Sequence, residues 1–127
     1  MAAPGSDAVA VNLVPVGPCT VVELSGALDV FGASQVRALL AEHVTFGPDL
    51  RLVFDLDQLS LIDSAGLGVV ARAHQVARAA GGAVLVVAGD GPVRRTFVLT
   101  GMDRVLPIHS TRQSAIQAVG HPGPGCG

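Results

Sequence analysis

The sequence predicts an α/β protein, a mostly parallel or mixed sheet of about five strands with about four helices packed on it. Three observations lead there. Half of the 127 residues are hydrophobic, yet only four are aromatic, all Phe, so the core is built from Val, Leu, Ile and Ala. Leu52 to Leu56 and Ala83 to Ala88 are short apolar runs of the kind found in strands covered on both faces. Longer stretches with helical periodicity separate such runs, the alternation that gives parallel strands joined by helices. By length the chain is one domain with room for a real core.

The elements follow in order. Residues 1–8 read as a flexible lead-in, 9–119 as the domain and 120–127 as a flexible Gly/Pro tail. Val9, Val11 and Leu13 alternate with Ala10 and Asn12, which predicts a first strand at an edge. Pro15, Gly17 and Pro18 predict the turn, and Thr20 to Leu24 a second strand pairing as a hairpin. Ser25 to Asp29 then leaves the strand. Val36, Leu39, Leu40 and His43 or Val44 form the stripe of a first helix, with Asp29 near its start. Leu52 to Leu56 is the third strand.

A second helix runs to about Ala80. Its N-cap is Asp63 or Ser64, its stripe holds Leu67, Val70, Ala71 and His74, and Gly81-Gly82 ends it. Ala83 to Ala88 is the fourth strand. Asp90-Gly91-Pro92 sets a short third helix carrying Val93 and Phe97, which Gly101 ends. Val105 to Ile108 is the last strand. Ser110 with Gln113 is a capping box opening a fourth helix with Ala115, Ile116 and Val119.

Composition excludes several functions. A formal charge of −2 offers no electrostatic footprint for nucleic acid. All eight basic residues are arginines, so a Walker A loop and Schiff-base chemistry have no lysine to use. Cys19 and Cys126 form no paired motif, and His43, His74, His109 and His121 are scattered without metal-ligand spacing. No catalytic residue, cofactor or metal is expected. No apolar run approaches the roughly 20 residues of a membrane span. Met1 to Asp7 lacks the basic and apolar regions of a signal peptide, so the expectation is a cytoplasmic protein with no membrane insertion.

The most informative stretch is Leu59-Ser60-Leu61-Ile62-Asp63-Ser64-Ala65-Gly66-Leu67-Gly68, where a strand gives way to the second helix. A serine at such a junction is ordinarily a cap contributing about 1 kcal/mol. Two glycines in the opening turns, however, cost roughly 2 kcal/mol of helix propensity relative to Ala. Small residues there leave room for a partner or a phosphate to approach the backbone.

This stretch resembles the signature of STAS domains, and of bacterial anti-sigma factor antagonists in particular. Leu24-Ser25-Gly26-Ala27-Leu28-Asp29 is similar to the family's Leu-x-Gly-x-Leu-Asp element, and Gly101-Met102-Asp103 to a later one. The resemblance runs from about Val9 to Val119. Ala65 departs from it, because many members carry a second Ser there. It implies a protein-binding regulator rather than an enzyme. The partner is an anti-sigma factor with serine kinase activity, whose capture frees a sigma factor. That kinase phosphorylates Ser64, and a phosphatase acting on phospho-Ser64 is a further implied partner. Asp29, Asp63, Ser64, Ala65, Gly66 and Leu67 are the expected partner-binding residues.

Two other readings stand beside it. One is a STAS protein of another pathway, a stress-signalling scaffold or the cytoplasmic partner of a lipid transporter. The other is a nucleotide-binding or receiver-like phosphoryl-accepting domain, suggested by Asp55 and Asp57 at a strand end. A receiver also needs an acidic pair after its first strand and a late lysine. Neither is present, so Asp55 and Asp57 read as a strand-end pair facing water or partner.

Overall fold

The computed structural model describes residues 8–120. Of the two segments expected to be flexible, residues 1–7 and 121–127 lie outside the described residues. The elements are β1 (Ala10–Val16), β2 (Cys19–Leu28), α1 (Val30–His43), β3 (Arg51–Ile62), α2 (Ser64–Ala79), β4 (Ala83–Val87), α3 (Pro92–Leu99), a 3-10 turn (Met102–Arg104), β5 (Ile108–His109) and α4 (Arg112–Gly120).

The sheet order is β1-β2-β3-β4-β5. β1 is antiparallel to β2, and the other neighbours are parallel. Every parallel crossover steps the same way along the sheet, and right-handed connections then put α1, α2 and α3 on one face. Val22, Leu24, Leu52, Phe54, Val84 and Val86 point into that layer, against Val36, Leu40, Val70, Ala73 and Phe97. The strand residues that alternate with them, Val21, Val53, Leu85 and Val87, point the other way. Among the described residues only α4 lies over that second face, with Ala115 fully buried. The central strands are therefore apolar on both sides, as their sequence requires.

Several boundaries differ from those the sequence predicts. The hairpin turn is Gly17-Pro18 alone, between Val16 and Cys19, with Gly17 at φ +57°. Pro15 stays inside β1, which an edge strand tolerates because the missing N–H costs no ladder bond on its open side. β2 does not end at Leu24 but continues through Ser25-Gly26-Ala27-Leu28. β3 likewise runs on from Leu56 to Ile62, and the two extensions pair with irregular register around Ser25 and Gly26. α1 buries Gly32, Ala33, Val36 and Leu40, whereas Leu39 is half-buried and His43 exposed. The last strand is only Ile108–His109, because Val105 belongs to the turn that follows Met102–Arg104. Thr111, not Ser110, caps α4: its Oγ1 accepts from the Ser114 N–H at 3.1 Å.

Candidate functional site

The paired extensions of β2 and β3 define the site. Leu28 lies opposite Ile62, and each strand passes through a single Asp into a helix. Asp29 and Asp63 are the N-caps of α1 and α2. The Asp29 Oδ1 accepts from the Gly32 N–H at 2.9 Å. The Asp63 Oδ1 accepts from the N–H groups of Ala65 and Gly66 at 2.9 and 3.1 Å. The Asp63 N–H itself donates to the Leu28 carbonyl at 3.3 Å. Two helix N-termini thus stand side by side, each closed by a carboxylate.

Ser64 is the first residue of α2 and is exposed. Asp63 does the capping, which leaves the Ser64 hydroxyl without a hydrogen-bonding duty among the described residues. The nearby donors are differently placed from the sequence expectation. The Ala65 and Gly66 N–H groups are already taken by Asp63, so an anion arriving from solution does not find them vacant.

The expected partner-binding residues divide into two sets. Asp29, Asp63, Ser64 and Ala65 are at least partly accessible, whereas Gly66 and Leu67 are buried. Gly66 is required by packing. A Cβ there would lie 2.5 Å from the Leu28 carbonyl oxygen and 2.8 Å from the Ile62 side chain. Gly68 has open space around it. Of the two glycines, only Gly68 keeps the outer surface bare.

Sequence reasoning missed the apolar rim of this surface. Val30 and Phe31 open α1 and are 58% and 81% exposed, and Leu61, at the end of β3, is 50% exposed. The other three Phe side chains are buried or half-buried. Helical phase contains the missing signal. Gly32, Ala33, Val36 and Leu40 face inward, which turns Phe31 outward.

The remaining candidates serve the fold. Asp55 does not face water freely: the Arg112 Nε and NH2 donate to its Oδ2 at 2.9 and 2.7 Å, and the same NH2 donates to Glu23. These two carboxylates, Glu23 foremost, hold the Arg112 guanidinium above its ordinary pKa. Asp57 accepts from the Gly89 N–H at 2.9 Å and so fixes the loop after β4. Cys19 is buried, which raises its thiol pKa despite the opposing effect of Arg51. His109 Nδ1 lies 2.8 Å from the Ser114 Oγ, and His74 is buried in α2. His121 and Cys126 lie outside the described residues. Among the described residues no three His, Cys, Asp or Glu converge as a metal-binding group.

Residues 10–115 match the STAS domain family. The chain belongs to that family. Its curated relatives include an anti-sigma F factor antagonist of Paenibacillus polymyxa, 29% identical over 96 residues, which are 76% of this chain and 82% of that protein. The anti-sigma-B factor antagonist of Bacillus subtilis is 28% identical over 96 residues, 76% of this chain and 86% of that one. Among solved structures, an anti-sigma factor antagonist from Mycobacterium paratuberculosis superposes with a TM-score of 0.80 at 28% identity. That match covers 94% of this STAS chain and 98% of the other. No helix among the described residues of the STAS domain is long and apolar enough to cross a membrane.

Proposed function

We propose that this STAS domain is an anti-sigma factor antagonist switched by phosphorylation of Ser64. The unmodified surface around Ser64 binds an anti-sigma factor that is itself a serine kinase, and the sigma factor is released. The kinase then transfers the γ-phosphoryl group of ATP to the Ser64 Oγ. The bond from that phosphorus to the ADP oxygen breaks, the Oγ–P bond forms and the hydroxyl proton leaves. A phosphatase restores the serine.

The observation that carries this reading is an exposed, uncommitted hydroxyl at the first residue of α2, rimmed by exposed Val30, Phe31 and Leu61. An apolar rim around a polar centre is the makeup of a protein-docking surface. The names of the relatives supply the class of partner. The charge argument supplies the switch. A phosphate adds about −1.5 to −2 charges. Here it joins the half-buried carboxylates of Asp29 and Asp63 on one small surface. A carboxylate of the partner brought within ~4 Å of that phosphate, at an effective dielectric of ~20, would cost about 4 kcal/mol, roughly a thousandfold in affinity. In the unmodified protein Asp63 already satisfies the first turn, which supports a switch that needs no refolding of this domain.

The test mixes the protein with the serine-kinase anti-sigma factors of its source organism and ATP, then reads intact mass and complex formation. One phosphate is expected, on Ser64, with loss of the complex. Ser64→Ala stays bound to the kinase, and Ser64→Glu binds far more weakly. Phe31→Ser lowers the affinity of the unmodified protein by roughly tenfold or more, as loss of an aromatic anchor does. No phosphate with any kinase of the set overturns the switch.

A further inference from the structure

β1 forms one edge of the sheet, and among the described residues no element pairs with its outer side. We propose that this edge pairs with the β1 edge of a second copy, antiparallel about a two-fold axis at Asn12, so that one sheet runs through both domains. An open strand is ordinarily protected by charge, by a bulge or by a covering element. The sequence of β1, Ala10-Val11-Asn12-Leu13-Val14-Pro15-Val16, contains no charged residue. Its register against β2 is unbroken from Val16–Cys19 to Ala10–Ser25, so no bulge turns it away. Two copies therefore meet along it without like charges opposing each other. Val11, Leu13, Val14 and Val16 are only half-buried, so pairing removes apolar surface from water on both faces of the strand.

The hairpin fixes which backbone groups face outward. Gly17-Pro18 is a two-residue turn, so Val16 and Cys19 are the hydrogen-bonded pair that closes it. Back along β1 the roles alternate. Val14, Asn12 and Ala10 direct their N–H and C=O groups to β2, and Val11, Leu13 and Pro15 turn theirs to the open edge. Pro15 has no N–H, which separates the possible registers. A two-fold axis at Leu13 would set Val11 opposite Pro15 of the second copy and leave the Val11 carbonyl without a donor. An axis at Asn12 pairs Val11 with Leu13 of the second copy, N–H to C=O in both directions, and repeats that exchange by symmetry. Pro15 then lies opposite Val9, outside β1. Asn12 meets Asn12 of the second copy as a non-hydrogen-bonded pair, the closer antiparallel spacing, with Cα atoms about 4.5 Å apart. Its exposed carboxamide has both donors and an acceptor, so it is complementary to itself.

Sedimentation of the full chain should show a monomer–dimer equilibrium, and the Val11 and Leu13 amides should gain hydrogen-exchange protection as concentration rises. Asn12→Lys and Asn12→Asp each set like charges opposite one another at an exposed position, so each should shift the equilibrium to monomer while the fold persists. An equal mixture of the two variants should recover the dimer. The register is read by cross-linking in a Cys126→Ser background, where the remaining native thiol, Cys19, is buried. Asn12→Cys should oxidise to a linked dimer at least about tenfold faster than Ala10→Cys, because only the first places two sulfurs within the span of a disulfide. Ala10 is equally exposed but lies opposite Val14 of the second copy. A chain that stays monomeric up to millimolar concentration overturns the proposal. So does cross-linking of Ala10→Cys as fast as Asn12→Cys, or a dimer that neither charge variant shifts. Protection of the Val11 and Leu13 amides at every dilution would mean that the chain itself covers the edge, and would overturn it too.

Discussion

His74 is the residue whose position asks most of its chemistry. It lies on the inward face of α2, 8% exposed, and its Nδ1 has no partner among the described residues. Burial lowers the imidazole pKa below its ordinary value near 6.5, and the charge of Arg78 one turn on lowers it further. The consequence for stability has a definite sign. Above that value the ring is neutral in both states. As pH falls through 6.5, the unfolded chain takes up a proton that the folded chain resists, so the folded state loses ground. The melting temperature should therefore decline from about pH 7.5 to pH 5.5 by more than in His74→Leu, which keeps the volume and removes the titration. A thermal-shift series across that range decides it. Parallel profiles for the two proteins would show that His74 does not contribute.

At the scale of the element, α2 separates two glycines that look alike in sequence. Gly66→Ala drives a methyl group against the Leu28 backbone and should destabilise the domain by about 1–3 kcal/mol. Gly68→Ala meets open space and should stabilise it by about 1 kcal/mol through helix propensity. Urea unfolding of the two variants measures both. If Gly68 is bare because a partner sits there, the stabilised variant should bind that partner less well. The difference was partly readable beforehand. Gly66, Val69 or Val70, Ala73 and Ala77 repeat at helical spacing, which puts Gly66 on the buried stripe and leaves Gly68 off it. Order and type of the elements were legible because apolar runs and caps are local signals. The extension of β3 was not, because Asp57, Gln58 and Ser60 interrupt its apolar run. Those residues are held in the sheet by pairing with β2, a partner more than thirty positions away. The Asp63-Ser64 core of the candidate site was legible for the same reason as the caps. Its apolar rim was not, since it joins the start of α1 to the end of β3 across the sheet.

Across the whole molecule the two faces of the sheet are unequally protected. Among the described residues three helices cover one, and a single nine-residue helix covers the other. α4 buries Ala115 fully and Ile116 in part, a thin apolar attachment. Arg112 adds the polar one by bridging Glu23 on β2 and Asp55 on β3. Those carboxylates sit opposite each other in register, so the guanidinium both ties α4 down and separates two like charges. Arg112→Ala removes both effects. The cluster is only partly buried, so the cost should lie between that of a surface pair and a fully buried one, about 2 kcal/mol. Adding Glu23→Gln and Asp55→Asn should recover the share due to repulsion, and high salt should do the same for the single variant. The share due to attachment should remain. Without it α4 opens locally, and the face formed by Val21, Val53, Leu85 and Val87 becomes accessible before the domain unfolds. Hydrogen exchange reads this directly: amides of α4 should lose protection in Arg112→Ala while those of α1 and α2 keep theirs. Uniform loss across all helices would mean that α4 and the sheet open only together, and that Arg112 secures the whole fold rather than one side of it.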